Sequence, residues 1–485
     1  MFILVFNSIN FVAFVLPILL LYWFFFKKSK AAQNVLLLAS SIFFYAWADW
    51  RFLFLLIASI VINYYLALKI RKEVNDEPKQ RRFLYIGLIF NVGLLLYFKY
   101  FNFFYESFVE LVNVFGVTSS YTTLSILLPL GISFFTFQTL GYLIDVYNEE
   151  IDPSDNFLEF SLFVAYFPKI LSGPIERASK MMPQIQEKRE FRYTLFVDGL
   201  RQILWGLFAK IVIAENCASI ANPIFDNYEN QPESILLLGA FFYAIQLYAD
   251  FSGYSNMAIG ISKLFGIQLM RNFATPFFST NISDFWRKWH ISLTTWMMDY
   301  VFTPLSFSLR RYHKSGLIFA IIMTFILVGF WHGANWTFIF YGLLHGIYFI
   351  PLVYSGKINS SEIVAKGNFF PSFVELVKML LLFLLIMLTD IFFRADNIEE
   401  ATYYIALIFS NEILTIPNEI FNSNYLLAIF LIFIFFFIEW SNREKKHDFE
   451  ISNFNIFIRW GLYIFLFLLI LFFGKSSETF IYFQF

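Results

Sequence analysis

His332 is the side chain whose position in this sequence most strongly indicates acid–base chemistry. It stands in the segment GFWHGANW at 329–336, where one long apolar run ends and another begins. An ionisable ring beside a membrane-length apolar run is costly, so such residues usually bind something polar or transfer protons. Gly333 is a natural helix terminator, and a helix C-terminus favours the protonated ring whereas burial disfavours it. We therefore expect a ring that exchanges its proton near neutral pH and acts as a general base on a hydroxyl. The alternative is a histidine that only binds a neighbouring carbonyl group.

A second histidine, His290, ends the segment SDFWRKWH at 283–290. Ser283 or Asp284 can cap a short helix in which aromatic and basic residues are interleaved. This pattern is typical of an amphipathic helix at the cytoplasmic membrane interface. A functional histidine and a purely anchoring helix are equally open interpretations of it.

Three further polar segments interrupt the apolar sequence. QLYADFSGYSN at 246–256 follows an apolar run, and we favour a tunnel wall or a structural role over proton transfer by Asp250. LPLGISFFTFQ at 128–138 and PKILSGPIER at 168–177 contain Gly and Pro, and a broken backbone at membrane depth requires surrounding protein or a water-filled cavity. The candidates for lining a substrate tunnel are Gln138, Lys169, Tyr248, Asp250, Ser252, Arg287, Lys288, Trp289 and Asn335.

The sequence predicts no metal site. No two histidines have HxxxH spacing, and no carboxylate cluster completes a ligand set. The single Cys217 excludes an internal disulfide and a cysteine metal cluster. His313 and His447 lie in basic loops where we expect them to be solvated, and we expect His345 to be a hydrogen-bonded packing residue.

The composition indicates that lipid surrounds these candidate residues. Hydrophobic residues make up 59% of the 485 residues and charged residues only 15%, whereas soluble domains carry about 25% charged residues. A net charge of −1 gives no electrostatic reason to expect nucleic acid. We predict an all-α, polytopic integral membrane protein in which residues 1–485 form a single domain.

Long apolar runs recur along the whole sequence. A membrane crossing needs about 20 apolar residues. The candidate runs are 2–26, 32–48, 52–70, 83–98, 124–146, 157–167, 194–214, 235–249, 317–331, 336–353, 373–393, 425–440 and 456–473. Because several runs are short, we predict roughly 11–12 transmembrane helices, with short re-entrant or interfacial helices, around a central tunnel.

Basic residues predict the orientation. Lysines at 27–30 and basic residues at 69–82 lie two crossings apart, so the positive-inside rule makes both loops cytoplasmic and the N-terminus external. The basic stretch 310–314 should also be cytoplasmic. A helix from Lys314 to Trp331 rises about 24 Å, which is most of a hydrocarbon core of about 30 Å. His332 is therefore expected towards the outer face.

The polar segments together resemble the membrane-bound O-acyltransferase family, in particular its bacterial alginate O-acetyltransferase branch. The matching pieces are LPLGISFFTFQTLGYLIDVY, FPKILSGPIERASKMMPQI, QLYADFSGYSNMAIGISKLFG, FWRKWHISLTTWMMDYVFTPL, GFWHGANWTFIFYGLLHG and IFFRA. They occur in family order within a core of about residues 128–395. Outside this core the sequence matches the family only in its hydropathy.

The resemblance implies transfer of an acyl group, expected to be acetyl, from a cytoplasmic thioester donor to a hydroxyl outside. His332 matches the family's essential histidine, and His290 matches its second motif histidine. By resemblance the donor is acetyl-CoA or an acyl carrier and no cofactor is permanently bound. The expected partners are an extracytoplasmic SGNH-hydrolase-like acetyltransferase and a cell-surface polysaccharide acceptor. The location implied is the bacterial cytoplasmic (inner) membrane.

Two other functions remain open. The first is D-alanyl transfer for teichoic acid modification, which belongs to a related branch of the family. The second is a membrane transporter or polysaccharide-export component without chemistry, because intramembrane polar residues also mark transport pathways. An export component without chemistry would tolerate mutation at His332, whereas the enzyme would not.

Overall fold

The protein is all-α, as predicted. The computed structural model describes residues 4–116, 124, 126–359, 363–410 and 421–475, and within these ranges it contains helices and no strands. It comprises two compact units. The first unit consists of Met1–Gly199 with Ile261–Met270, and the second of Leu200–Gly260 with Arg271–Phe485.

The first unit is built from the N-terminal helices. They are α1 (Ile9–Leu20), α2 (Lys30–Asp49), α3 (Leu53–Lys72), α4 (Glu77–Leu95), α5 (Phe101–Val114), α6 (Ile132–Tyr147), α7 (Phe157–Ala165), α8 (Phe167–Ile170) and α9 (Ala178–Gln186). A buried amide network joins three of these helices: the Asn63 and Asn91 side chains donate to each other at 3.2 and 2.7 Å, and the Thr139 hydroxyl donates to Asn91 at 2.9 Å. Such interhelical hydrogen bonds hold apolar helices together in a lipid environment.

The remaining helices belong wholly or mainly to the second unit. They are α10 (Tyr193–Leu207), α11 (Glu215–Asp226), α12 (Glu233–Leu264), α13 (Ile282–Lys288), α14 (Ile291–Met297), α15 (Thr303–Ser308), α16 (His313–His332), α17 (Trp336–Tyr348), α18 (Ile350–Ser355), α19 (Phe373–Arg394), α20 (Ile398–Ile408), α21 (Ser423–Asn442) and α22 (Ile456–Phe473). Residues Phe208–Ala214, between α10 and α11, form a π-helical segment.

The chain is a multi-pass membrane protein. Among the described residues, nine segments are long and apolar enough to cross a membrane: Lys30–Lys72, Glu77–Val114, Tyr193–Asp226, Glu233–Leu264, Arg310–His332, Trp336–Ser355, Phe373–Arg394, Ser423–Asn442 and Ile456–Phe473. The first segment holds two helices, α2 and α3, because the backbone is extended at Asp49. If these two helices are counted separately and the shorter apolar helix Ile9–Phe25 is added, the number of candidate crossings among the described residues rises from nine to eleven. Eleven is the lower end of the predicted range.

Two of the predicted crossings are shorter than the sequence pattern indicated. The run 157–167 is divided at Tyr166, whose ψ of 114° is not helical, so α7 spans only nine residues. Nine helical residues extend about 14 Å, too little for a crossing. The run 124–146 becomes helical only at Ile132, after Gly131 with a φ of 71°.

The pair of helices that carries His332 is packed unusually closely. A Cβ atom on Gly329 of α16 would collide with the carbonyl oxygen of Phe338 on α17, and one on Gly342 would collide with the carbonyl oxygen of Phe325. Glycine at both positions lets the two backbones touch, as small residues do between membrane helices. The position of His332 relative to α17 is therefore set by backbone contact.

Candidate functional site

His332 is the last residue of α16, as the sequence predicted. Twenty residues of helix extend about 30 Å, the thickness of a hydrocarbon core. The backbone becomes extended at Gly333, and the Asn335 side chain then caps α17 by accepting the Thr337 N–H at 3.0 Å. The Asn335 amide also donates to the carbonyl of Asp396 at 2.8 Å, which fixes the turn between the two helices.

Aromatic rings surround the His332 imidazole, which is only 3% exposed. The ring centroids of Trp331 and Phe393 lie 5.1 and 5.2 Å away, and that of Tyr341 lies 6.3 Å away. The fourth neighbour is the imidazole of His290, at 6.2 Å. The structure thus brings together the two histidines that the sequence singled out, although 41 residues separate them along the chain.

His290 lies between α13 and α14 with a left-handed backbone, φ 42° and ψ 52°. This conformation is uncommon for a residue with a side chain, and it persists only when the surroundings enforce it. Asn272 supplies that enforcement: its backbone carbonyl accepts from Ile291 at 2.8 Å, and its side-chain oxygen accepts from the Ser292 hydroxyl at 2.9 Å. The strained backbone aims the imidazole towards α16.

The His290 ring is fully buried and packs against several aromatic rings. Its centroid lies 4.7 Å from that of Phe251 on α12, 5.4 Å from that of Trp331 and 6.4 Å from that of Phe273. Burial lowers the pKa of His290 from its ordinary value of 6.5 to about 3. The ring is therefore neutral at physiological pH, and its chemistry is that of a hydrogen-bonding group rather than a cation.

The polar residues of α12 do not all face the histidines. Phe251 contacts the His290 ring, whereas its neighbour Asp250 forms a buried ion pair with Lys210 of the π-helical segment. Ser252 is also buried, and the Tyr248 hydroxyl donates to the Glu439 carboxyl group at 2.7 Å. The ion pair of Asp250 supports the structural alternative among the roles predicted for this residue.

Trp289 is part of an aromatic cluster directly before His290. Its ring centroid lies 5.2 Å from Phe273, 5.4 Å from Phe285 and 5.8 Å from Tyr248. Lys288 forms an ion pair with Asp284 at 2.7 Å. The short helix α13 is therefore held by internal contacts as well as by the aromatic cluster.

Arg287 borders a mainly apolar cavity of about 180 Å³ within the second unit. Its guanidinium donates to the carbonyl of Ile358 at 3.0 Å and to the side chain of Asn359 at 3.3 Å, and it remains accessible. The wall includes Val328, one helical turn before His332 on α16. The cavity therefore reaches from a cationic group to the neighbourhood of His332, and the longer central tunnel predicted from the sequence stays a prediction.

Gln138 and Lys169 belong to the first unit and contact each other. The Lys169 ammonium donates to the side-chain oxygen of Gln138 and lies 4.7 Å from the centroid of the Phe163 ring. Lys169 has no exposed surface, and burial lowers its pKa to about 7. Burial likewise raises the pKa of Glu176, which accepts a hydrogen bond from the backbone of Met270. In this structure, Lys169 presents no surface to a ligand in solution.

Most residues on the apolar side of the site carried no signal in the sequence. Phe251, Phe273 and Phe393 border the histidines, but no pattern distinguishes them from the other phenylalanines of the chain. Lys210 and Glu439 did carry a signal, because each is a charged residue inside an apolar helix. Among the described residues, no group of three or more His, Cys, Asp or Glu side chains is arranged to hold a metal ion.

Comparison with a family model agrees with this arrangement. Residues 61–360 match the model of MBOAT, the membrane-bound O-acyltransferase family. The match spans more than half of the chain and includes His290, His332 and the predicted tunnel-lining residues.

Curated relatives extend the similarity. A peptidoglycan O-acetyltransferase of Helicobacter pylori is 38% identical over 386 residues, covering 74% of this chain and 70% of the relative. A probable alginate O-acetylase, AlgI, of Azotobacter vinelandii is 36% identical over 371 residues, covering 76% of this chain and 70% of the relative. A teichoic acid D-alanyltransferase of Streptococcus thermophilus is 32% identical over 236 residues, covering 46% of this chain and 57% of the relative.

Proposed function

The chain belongs to the membrane-bound O-acyltransferase family, and from this premise we propose that it transfers acetyl from a cytoplasmic thioester to a hydroxyl outside the membrane, with His332 as the general base. The observation that supports the assignment of the base is the position of His332: at the end of a helix about 30 Å long, beside His290. Because α16 begins within the basic stretch 310–314, its His332 end faces outwards under the positive-inside rule.

The reaction needs one base and correct alignment, because a thioester is already activated. The acceptor hydroxyl oxygen attacks the thioester carbonyl carbon while His332 takes the hydroxyl proton. The tetrahedral intermediate collapses with cleavage of the C–S bond, and the proton passes from His332 to the departing thiolate sulfur. An ester and a free thiol result, and the base is regenerated.

His290 has a different role in this proposal. A ring with a pKa of about 3 does not compete for the hydroxyl proton. It can still donate an N–H group to the oxyanion that develops on the carbonyl oxygen, a contribution that is largest in a site that excludes water. The fixed left-handed backbone at His290 favours this assignment, because such stabilisation requires a donor that is already oriented.

The donor is placed by charge and by cavity shape. Arg287 lies at the cavity that reaches Val328, and its guanidinium would contact a phosphate of acetyl-CoA or of an acyl carrier. Acetyl is favoured over D-alanyl because the two O-acetyltransferase relatives match about three-quarters of this chain, whereas the D-alanyltransferase matches under half. The acceptor is then a hydroxyl of a cell-surface polysaccharide, reached directly or through an SGNH-hydrolase-like partner, and the location is the cytoplasmic membrane with the N-terminus outside.

The test uses purified full-length protein in proteoliposomes with radiolabelled acetyl-CoA. We expect acetyl transfer to an added glycan or partner, or hydrolysis of the thioester, and loss of both in His332→Ala. His313→Asn is the matched control, because His313 is exposed and lies at the opposite end of α16 from His332. Full activity in His332→Ala would remove the catalytic assignment.

A second variant tests the placement of the donor. Arg287→Gln should raise KM for acetyl-CoA several-fold and leave kcat nearly unchanged, because a phosphate contact is equally strong in the ground state and the transition state. An unchanged KM would remove Arg287 from the donor site without affecting the role of His332.

A further inference from the structure

We propose that His345 is a positioning residue for His332, and that it acts through Tyr341 and is itself oriented by Trp286. The proposal rests on the proposed function, in which His332 is the base. His345 lies on α17 and has no exposed surface. It is buried away from the reacting groups, and its contacts lead to both histidine segments.

The first contact fixes the His345 ring. The Trp286 indole Nε1 lies 3.2 Å from His345 Nδ1, with both groups buried. An indole N–H can only donate, so Nδ1 must be the accepting nitrogen and the neutral ring must carry its proton on Nε2. His345 Nε2 has no hydrogen-bond partner in the described part of the chain. The bond from Trp286 therefore selects both the tautomer and the orientation of the ring.

The second contact leads to His332. Of the aromatic rings that His345 contacts, Tyr341 is the nearest, with centroids 4.4 Å apart. The Tyr341 ring centroid also lies 6.3 Å from that of His332 and 5.4 Å from that of Phe393. Residues 341 and 345 lie one helical turn apart on the same face of α17. Tyr341 thus neighbours both a hydrogen-bonded histidine and the proposed base.

The third contact connects the same ring to the His290 segment. Trp286 is on α13, four residues before His290. Trp286 and Phe325 pack against His345 at 5.0 and 6.4 Å, and both also line the cavity beside Val328. One buried imidazole therefore links α13, α16 and α17, the helices that hold or adjoin the two histidines.

A packing residue would not meet these requirements. Phenylalanine at 345 would fill similar space but would leave the buried Trp286 N–H without an acceptor, and a buried donor without a partner is unfavourable. Asparagine would keep an acceptor oxygen close to the place of Nδ1. The hydrogen bond and the volume can therefore be tested separately.

The first experiment measures acetyl transfer by His345→Phe, Trp286→Phe, the double variant and His345→Asn, with folding monitored by the melting temperature. We expect His345→Phe and Trp286→Phe to lower kcat about tenfold or more with little change in KM, because a small misplacement of a reacting group is costly. The kcat of the double variant should be no lower than that of either single variant, because the two substitutions remove the same hydrogen bond. His345→Asn should recover most of kcat.

Three results would overturn the proposal: kcat unaltered in folded His345→Phe, single losses that multiply in the double variant, or a change confined to KM. His332→Ala is measured alongside. If His332→Ala is active, the assignment of the base fails; if it is inactive while His345→Phe is fully active, only the positioning role fails.

A second readout needs no activity. The protein contains five histidines, so 15N-histidine NMR of the labelled protein can be assigned by substitution. We expect a non-protonated Nδ1 signal for His345 that shifts in Trp286→Phe, and His332 signals that shift in His345→Phe but little in His345→Asn. His332 signals unaltered in His345→Phe would refute the positioning role even if no acyl donor had yet been found.

Discussion

Two buried polar clusters of this protein differ in what surrounds them. The first, here called the histidine pair, consists of His290 and His332, which lie 6.2 Å apart among aromatic rings, with one backbone held in a left-handed conformation. The second, here called the lysine cluster, consists of Lys169 and Gln138 in the first unit, where the Lys169 ammonium donates to the Gln138 side-chain oxygen. Both come from segments whose polar residues stood out in the sequence.

This difference distinguishes a candidate functional site from a polar contact that only stabilises the fold. In the histidine pair, a strained backbone, two close-packed helices and a neighbouring cavity hold titratable rings near each other, and such strain persists where function requires it. In the lysine cluster, the cation is buried beneath Phe163 and bonded to an amide, which is how helices are joined within a membrane. A polar break in an apolar sequence therefore does not by itself identify a substrate site.

Gly329→Ala should have the largest effect on the histidine pair. The added methyl group would collide with the Phe338 carbonyl oxygen, so α16 and α17 must separate at the turn before His332. Overpacking of this kind costs about 1–3 kcal/mol, and displacement of the base by about 1 Å should lower kcat about 100-fold. Gly461→Ala on α22 is the matched control, because no atom lies within 4 Å of its added Cβ. Equal activity of the two variants would show that this backbone contact does not set the position of the base.

His290→Gln should have the next largest effect and should reveal the charge of the ring. We expect kcat to fall about 10- to 100-fold, because the glutamine amide is a donor that is not held in the orientation of the ring N–H. The pKa of His290 falls on folding from 6.5 to about 3, so the unfolded chain binds more protons between these pH values. Stability of the native protein is thus lost as pH falls from 6.5 towards 3. His290→Gln lacks this contribution, and its melting temperature should fall less steeply than that of the native protein over this range. Parallel curves would mean that the ring is protonated in the folded protein.

The sequence predicted the histidine pair only in part. Gly333 and Asn335 marked the end of α16, so the depth of His332 along its helix could be anticipated from local signals. The left-handed backbone at His290 could not be anticipated, because it is enforced by Asn272, 18 residues earlier, through tertiary hydrogen bonds. Helix identity follows from hydropathy, whereas the division at Tyr166 in the run 157–167 depends on local dihedral angles that hydropathy does not record.

Lys210→Met should affect stability more than chemistry and provides a comparison for Lys169. Lys210 is paired with Asp250 and lies 4.0 Å from Glu215, so its removal leaves two buried carboxylates without this cation, and breaking a buried pair typically costs about 3–5 kcal/mol. The double variant Lys210→Met/Asp250→Leu should recover part of the melting temperature, because Glu215 still lacks the cation. Activity per folded molecule should fall only modestly, because Asp250 faces Lys210 while Phe251 contacts His290. A double variant no more stable than the single one would argue against a structural ion pair.

Lys169→Met should have the smallest effect, with activity per folded molecule within about threefold of the native protein, because this lysine takes no part in the proposed chemistry. Burial lowers the pKa of Lys169 from 10.5 to about 7. The unfolded chain therefore binds more protons between pH 7 and 10.5, and the native protein gains stability from this group as pH rises through that range. Methionine removes the Lys169 contribution, and loss of the nearby cation raises the pKa of Glu176 further, so the melting temperature of Lys169→Met relative to that of the native protein should be higher at pH 6 than at pH 8.5. The melting temperatures of both proteins at these two pH values test the sign of the pH dependence that Lys169 contributes to stability. A loss of activity above tenfold at unaltered stability would instead place Lys169 in the path of the substrate, and the distinction between the two clusters would not hold.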